Sequence, residues 1–203
     1  MKIGILADIH GHVKHLTNAL DRIRCEQVDQ FVVLGDVIYD SKSAPETVSL
    51  LNDCGAVGVW GNHELGLCVD PDDKVRKLYT EPVIEFFSRL KSHFELGELL
   101  FSHTLPNQDA SDPVSYYLGP RPDEEGALDV CFSQFRHRVM MVGHFHRWFA
   151  ATPAGRMAWD GDEPIMLDSG TRYFFVIHAV MDGWAAVIDD ENNILTPIHL
   201  SRC

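Results

Sequence analysis

Two short apolar runs near the amino terminus, residues 3–7 and 31–34, each end abruptly on a carboxylate, Asp8 and Asp36. Uninterrupted apolar runs of this length are the pattern of strands buried on both faces, as in parallel sheets. Between them Leu16, Leu20 and Ile23 recur at helical spacing across residues 12–25, so the chain opens as strand, crossover helix and strand. A second round follows. Residues 44–54 carry Val48, Leu50 and Leu51 behind Pro45, Gly55 stops that helix, and residues 57–60 make a third strand ending at Gly61-Asn62-His63. Such a βαβαβ unit crosses over right-handed, and open sheets of this type bind ligands beyond the carboxyl ends of their strands.

After Pro71 the pattern predicts a long helical stretch to about His93, with Val83, Ile84, Phe86, Phe87 and Leu90 as its apolar stripe and Pro82 as a kink or break. From Phe94 the texture changes to short strands, expected over 99–101, 139–142, 165–167, 173–177, 184–188 and 194–199. These predict a second, more antiparallel sheet. Residues 104–122, rich in Pro, Asp and Ser directly after His103, read as a loop placed to shape the mouth of a site, as do residues 65–73. No internal repeat or linker-like tract divides the chain, so residues 1–203 are expected to form a single domain. That length can bury about 70% of the surface of the unfolded chain, a core that needs no disulfide or structural metal.

The strand ends collect an unusual set of side chains. In chain order they are Asp8-x-His10, Gly35-Asp36, Gly61-Asn62-His63-Glu64, His103 and Gly143-His144-Phe145-His146. The 11 histidines of the chain are about twice the usual share of a soluble protein. Carboxylate oxygens with neutral imidazoles and no thiolate suit Mn, Fe, Zn, Co or Ni better than Mg or Ca, which prefer oxygen shells. Asp8, His10, Asp36, Asn62, His103, His144 and His146 outnumber the positions around one ion, and a central carboxylate such as Asp36 can bridge two. Two divalent transition-metal ions about 3.5–4 Å apart can clamp a phosphoryl group and generate hydroxide near neutral pH. Hydrolysis of a phosphoester is the chemistry this set suggests.

Composition narrows the partners. Seventeen Lys and Arg against 30 Asp and Glu leave a net charge of −13, which repels the backbone of long DNA or RNA. A small phosphoester is the expected partner. The five cysteines, Cys25, Cys54, Cys68, Cys131 and Cys203, are odd in number and contain no C-x-x-C, the pattern of isolated thiols in a reducing cytoplasm. No apolar run approaches the ~20 residues of a spanning helix, and the amino terminus lacks the long apolar core of a signal peptide. No membrane association is expected. The sequence carries no signature of oligomeric state.

In order and type, D-x-H, G-D, G-N-H-[DE], H and G-H-x-H, these residues resemble the calcineurin-like metallophosphoesterases, over nearly the whole chain. The resemblance implies a four-layer α/β/β/α sandwich of two mixed sheets, with the metals at the strand ends. It implies one metal held by Asp8, His10, Asp36 and His146, and another by Asp36, Asn62, His103 and His144, with Asp36 as the bridge. His63 would face the substrate as general acid or phosphate hydrogen-bond donor, and manganese is the metal expected to serve in vitro. Length and the absence of a cap insertion are similar to the compact prokaryotic-type phosphodiesterase branch. Two departures stand out. Protein-phosphatase members place Asp-Arg-Gly shortly after their G-D, where this chain reads Val37-Ile38-Tyr39-Asp40. Compact members often carry Asn-Pro-Gly-Ser on a late strand, where this chain reads Val176-Ile177-His178-Ala179.

The expected activity is therefore a dinuclear phosphoesterase, a phosphodiesterase on a small nucleotide-like substrate ahead of a phosphomonoesterase. The alternative is a catalytically weak scaffold for protein interaction, since the family contains a retromer subunit whose altered ligands accompany a binding role. A DNA nuclease is disfavoured by charge and by the lack of an added domain. His15, His93, His137 and His199 read as hydrogen-bonded or solvated imidazoles, and His12 and His178 are left without a role. Arg147 and Arg172 read as ion-paired or solvated in preference to phosphate ligands.

Overall fold

The computed structural model describes residues 1–69, 71 and 73–201. Cys203 and two positions of the 65–73 loop, Asp70 and Asp72, lie outside the described residues. The amino-terminal half follows the expected alternation: β1 (Lys2–Leu6), α1 (Val13–Cys25), β2 (Gln30–Leu34), α2 (Ala44–Asp53) and β3 (Val57–Val59). A 3-10 turn over Asn62–Glu64 leads into α3 (Leu65–Cys68), α4 (Asp73–Arg76) and α5 (Glu81–Ser88). Then come β4 (His93–Leu96), β5 (Leu99–Ser102), α6 (Pro113–Leu118), α7 (Ala127–Gln134), β6 (Val139–Val142), β7 (Phe149–Thr152) and β8 (Gly155–Arg156). The chain closes with β9 (Ile165–Met166), β10 (Tyr173–Val176), a 3-10 turn over Val180–Asp182, β11 (Trp184–Asp189) and β12 (Ile194–His199).

Helix α1 forms because Leu16, Ala19, Leu20 and Ile23 make one buried stripe at spacings of three and four. It lies close to the sheet because Gly4 has no side chain: a Cβ there would collide with Ile23. The expected helix of 71–93 is instead broken. Pro82 sits in the first turn of α5, the helical turn whose backbone N–H groups have no acceptor within the helix, and by His93 the chain is already a strand. The 104–122 loop likewise contains α6, started by Pro113 and capped by the Asp112 carboxylate, which accepts from the Val114 backbone N–H at 2.9 Å.

Among the described residues, twelve strands form two six-stranded sheets, ordered β3-β2-β1-β11-β12-β9 and β4-β5-β6-β10-β7-β8. Strands β1, β2 and β3 are parallel, as expected. The carboxyl-terminal strands do not all join the second sheet, however. β11 pairs antiparallel with β1, and β12 and β9 extend that edge, so the free side of β1 is covered from the far end of the chain. The second sheet is mixed, with β5, β6 and β10 parallel.

Alternation along the strands builds three apolar layers. Ile3, Ile5 and Ala7 pack between the sheets with Phe101, Met141 and Phe175. Leu6 and Val33 face α1, α2 and α5 through Leu20, Leu51 and Phe87. Met140, Val142 and Phe174 face Ala127 and Cys131 of α7. The architecture is the α/β/β/α sandwich of two mixed sheets. Among the described residues, no helix is long and apolar enough to cross a membrane.

Candidate metal centre

Register sets where the polar groups meet. Leu6 lies opposite Val33, and Leu34 opposite Val59, so Asp8, Asp36 and Asn62 leave the first sheet at one edge. Ser102, Val142 and Val176 are level in the second sheet, which brings His103 and Gly143-His144 to the same edge. The loops are laced by backbone bonds: His10 N–H to Asp36 C=O at 2.8 Å, Gly11 N–H to Val37 C=O at 2.9 Å and Gly143 N–H to His103 C=O at 3.1 Å.

Five of the seven expected ligands leave their strands in the left-handed region: Asp8 (φ 50°), His10 (45°), Asp36 (48°), His144 (66°) and His146 (47°). This conformation is sparsely populated by residues with a side chain and persists where surrounding structure imposes it. Gly61 is required for a different reason. A Cβ there would collide with the Asp36 carboxylate, so glycine lets the turn after β3 lie flat against the central acid.

The donor atoms converge in linked groups. Those of Asp8, His10 and His146 lie within 4.8 Å of one another, as do those of Asp36, His103 and His144. His10 Nε2 is 3.2 Å from His146 Nε2 and 3.7 Å from Asp36 Oδ2, which is itself 3.4 Å from His103 Nε2. Asp36 thus stands between the two groups. Asn62 Oδ1 lies 3.3 Å from His103 Nε2. Exposed His63 also groups with His10 and Asp36, its ring edge-on to His10 at 4.7 Å. All eight residues expected at the site are therefore brought together.

Both carboxylates are buried, and among the described residues their ion-pair partners are histidines alone. Two buried acids without a Lys or Arg, facing imidazole nitrogens and no thiolate, are a donor set that divalent cations fit. Burial opposes the charge of Asp36, but neighbouring His103 outweighs it and holds the carboxyl well below its ordinary range. Burial likewise opposes protonation of His103, yet Asp36 prevails and raises that ring to about 9. His10 and His144 are lowered, chiefly by burial. His146 is raised by its hydrogen bond to Asp8.

Several supporting residues were given no role by the sequence, although Glu64 closes the Gly61-Asn62-His63-Glu64 motif. Glu64 is fully buried and accepts from the Gly61 and Ile38 backbone N–H groups at 2.8 and 3.2 Å, stapling two ligand loops together. Asp182 Oδ2 lies 3.3 Å from His146 Nδ1. The Tyr116 carbonyl is 2.9 Å from His144 Nε2, and the Tyr117 hydroxyl accepts from Asn62 Nδ2 at 3.3 Å. Among the residues read as hydrogen-bonded, solvated or ion-paired, His93 bonds to the Pro106 carbonyl, Arg147 pairs with Asp123, and Arg172 donates to the carbonyls of Phe132, Phe135 and His137. His15 Nδ1 bonds to the carbonyls of Val180 and Met181 at 3.1 and 2.9 Å.

The sequence is 24% identical over 188 residues to an uncharacterized protein of Methanocaldococcus jannaschii, covering 84% of this chain and 72% of that one. In structure it is similar to a metallophosphoesterase from Sphaerobacter thermophilus, with a TM-score of 0.78 at 18% identity, covering 98% of this chain and 88% of that one. It is also similar to an archaeal phosphodiesterase, with a TM-score of 0.57 at 13% identity, covering 98% and 99%. These likenesses establish the fold. The sequence model of the calcineurin-like phosphoesterases matches residues 1–148, nearly three quarters of the 203, and this chain belongs to that family.

Proposed function

We propose that this protein is a dinuclear metal-dependent phosphodiesterase acting on a small, nucleotide-like substrate. The observation that carries the reading is the central position of Asp36, 3.7 Å from His10 on one side and 3.4 Å from His103 on the other. A carboxylate standing between two ligand groups can serve two adjacent cations at once, the arrangement of a two-metal site. Asp8, His10, Asp36 and His146 would hold one, and Asp36, Asn62, His103 and His144 the other. When bound, the cations supply charge neutralisation at the phosphoryl oxygens and lower the pKa of the attacking water.

The chain's own groups do the rest. The His63 backbone N–H donates to Asp36 Oδ1 at 3.0 Å, so the turn that orients the central acid also presents the exposed His63 ring to substrate. Hydrolysis forms one P–O bond to water oxygen and breaks one to the leaving group. His63 gives its proton to that leaving oxygen, and the proton lost by water passes to solvent. The diester reading draws on the archaeal phosphodiesterase of like fold, and manganese is the proposed metal in vitro.

The test is the initial rate on bis-p-nitrophenyl phosphate beside p-nitrophenyl phosphate, with chelator-stripped protein titrated with Mn²⁺. Metal-dependent turnover favouring the diester is expected. A preference for the monoester would make this a small-molecule phosphatase, and no turnover with metals bound would point to the interaction scaffold.

A further inference from the structure

Two cavities open on the candidate centre, each through a different ligand group. One, of about 320 Å³, is bounded by His144, Tyr116, Tyr117, Phe145 and Arg121. The other, of about 410 Å³, is bounded by His10, His12, Lys14, Tyr39 and Asp40. Each carries a large exposed ring: Tyr117 is 70% exposed and Tyr39 is 72% exposed. Each ring is also tied to the Asn62-His63 turn. The Tyr117 hydroxyl meets Asn62 at 3.3 Å, and the Tyr39 ring lies 5.9 Å from that of His63. Each cavity is lined by one basic and one acidic side chain, Arg121 with Glu124 and Lys14 with Asp40.

Exposed aromatic faces at a cavity mouth gain free energy by stacking on planar ligand groups, with little demand on the ring's identity. A monoester has one organic group and would use one such face. We infer that the two cavities are arms of one substrate site, taking a phosphodiester that carries a planar ring on both sides of phosphorus. The inference deepens the phosphodiesterase reading and rests on it for the position of the phosphate.

The experiment compares bis-p-nitrophenyl phosphate with methyl p-nitrophenyl phosphate, which share a leaving group and differ in the second ring. The wild type should show a KM about 10-fold lower for the two-ring ester, and Tyr39→Ala and Tyr117→Ala should each raise it about 10-fold. The methyl ester should respond to only one of the two variants. Tyr117→Phe, which keeps the ring and loses the hydroxyl, should recover most of the loss. Mn²⁺ affinity by calorimetry should match wild type in Tyr39→Ala, and at Tyr117 any change should be equal in the alanine and phenylalanine variants, which both remove the hydroxyl that meets Asn62, so KM is compared at saturating Mn²⁺. Equal KM for both esters, silent alanine variants, or a Tyr117→Phe as impaired as Tyr117→Ala would overturn the inference. If the loaded wild type hydrolyses no ester, the enzymatic reading fails. The arms are then judged by calorimetric binding of bis-p-nitrophenyl phosphate, which both alanine variants must weaken for the inference to stand.

Discussion

His146 is held from two sides: its Nδ1 lies 3.3 Å from Asp182 Oδ2, while its Nε2 faces His10 Nε2 at 3.2 Å. Asp182 is placed by a turn docked on the end of β1, where the Val180 and Met181 backbone N–H groups donate to the carbonyls of Ala7 and Asp8 at 2.7 and 3.2 Å. His15 holds the same turn from α1. A carboxylate on the outer nitrogen of a ligating imidazole fixes its tautomer and orientation, and losing one typically weakens metal affinity 10- to 100-fold. Asp182→Ala should therefore cost about that factor at one of two sites in a calorimetric Mn²⁺ titration. Identical isotherms for variant and wild type would remove Asp182 from this role.

Asp36→Ala takes away the acid shared by both donor groups. The expected kcat is below about a tenth of wild type even at saturating Mn²⁺, because lost metal catalysis costs several kcal/mol. A variant that keeps more than that with metal in place would show that Asp36 bridges nothing.

His63 is the residue for which loss of metal and loss of rate should separate. Its ring is exposed, and removing a general acid typically lowers the rate by about 10²–10⁴. His63→Ala should bind two equivalents of Mn²⁺ and turn over slowly. Loss of a metal equivalent would make His63 a ligand.

The metal-free protein should lose stability as pH rises from about 6.5 to 9. Free His103 titrates near 6.5, whereas beside Asp36 the folded ring stays charged to about 9. A raised pKa contributes stability that is complete below the unfolded value and disappears as pH passes the folded one. Glu64, raised to about 8 by burial and then by Asp36, acts in the same direction. Melting temperatures of chelator-treated protein across this range check the sign, and a steady rise would contradict it.

Most of the framework was legible in the sequence because apolar runs and helical stripes are local signals. The strands ending at Asp8 and Asp36 and the helix carrying Leu16, Leu20 and Ile23 announce themselves within a few residues. The partner of β1 does not, since its pairing with β11 joins Lys2 to Asp189, and nothing near either residue encodes the other. The break at Pro82 was visible only as an alternative, because a proline marks equally the end of one helix and the start of the next. The same divide runs through the site. Ligand types at strand ends were readable, whereas Asp182 and Tyr117 act through folding that brings them 36 residues beyond His146 and 55 beyond Asn62, to positions no spacing rule anticipates.

The left-handed backbone at Asp8, His10, Asp36, His144 and His146 sets stability against function in evolution. Glycine adopts that conformation without steric penalty, so at the less buried His10 and His146 it would relax the main chain while erasing a metal donor. Selection for a sturdier fold alone would therefore drift toward glycine and silence the centre. Histidine and aspartate at all five corners keep the donor atoms in this chain at the expense of an easier backbone.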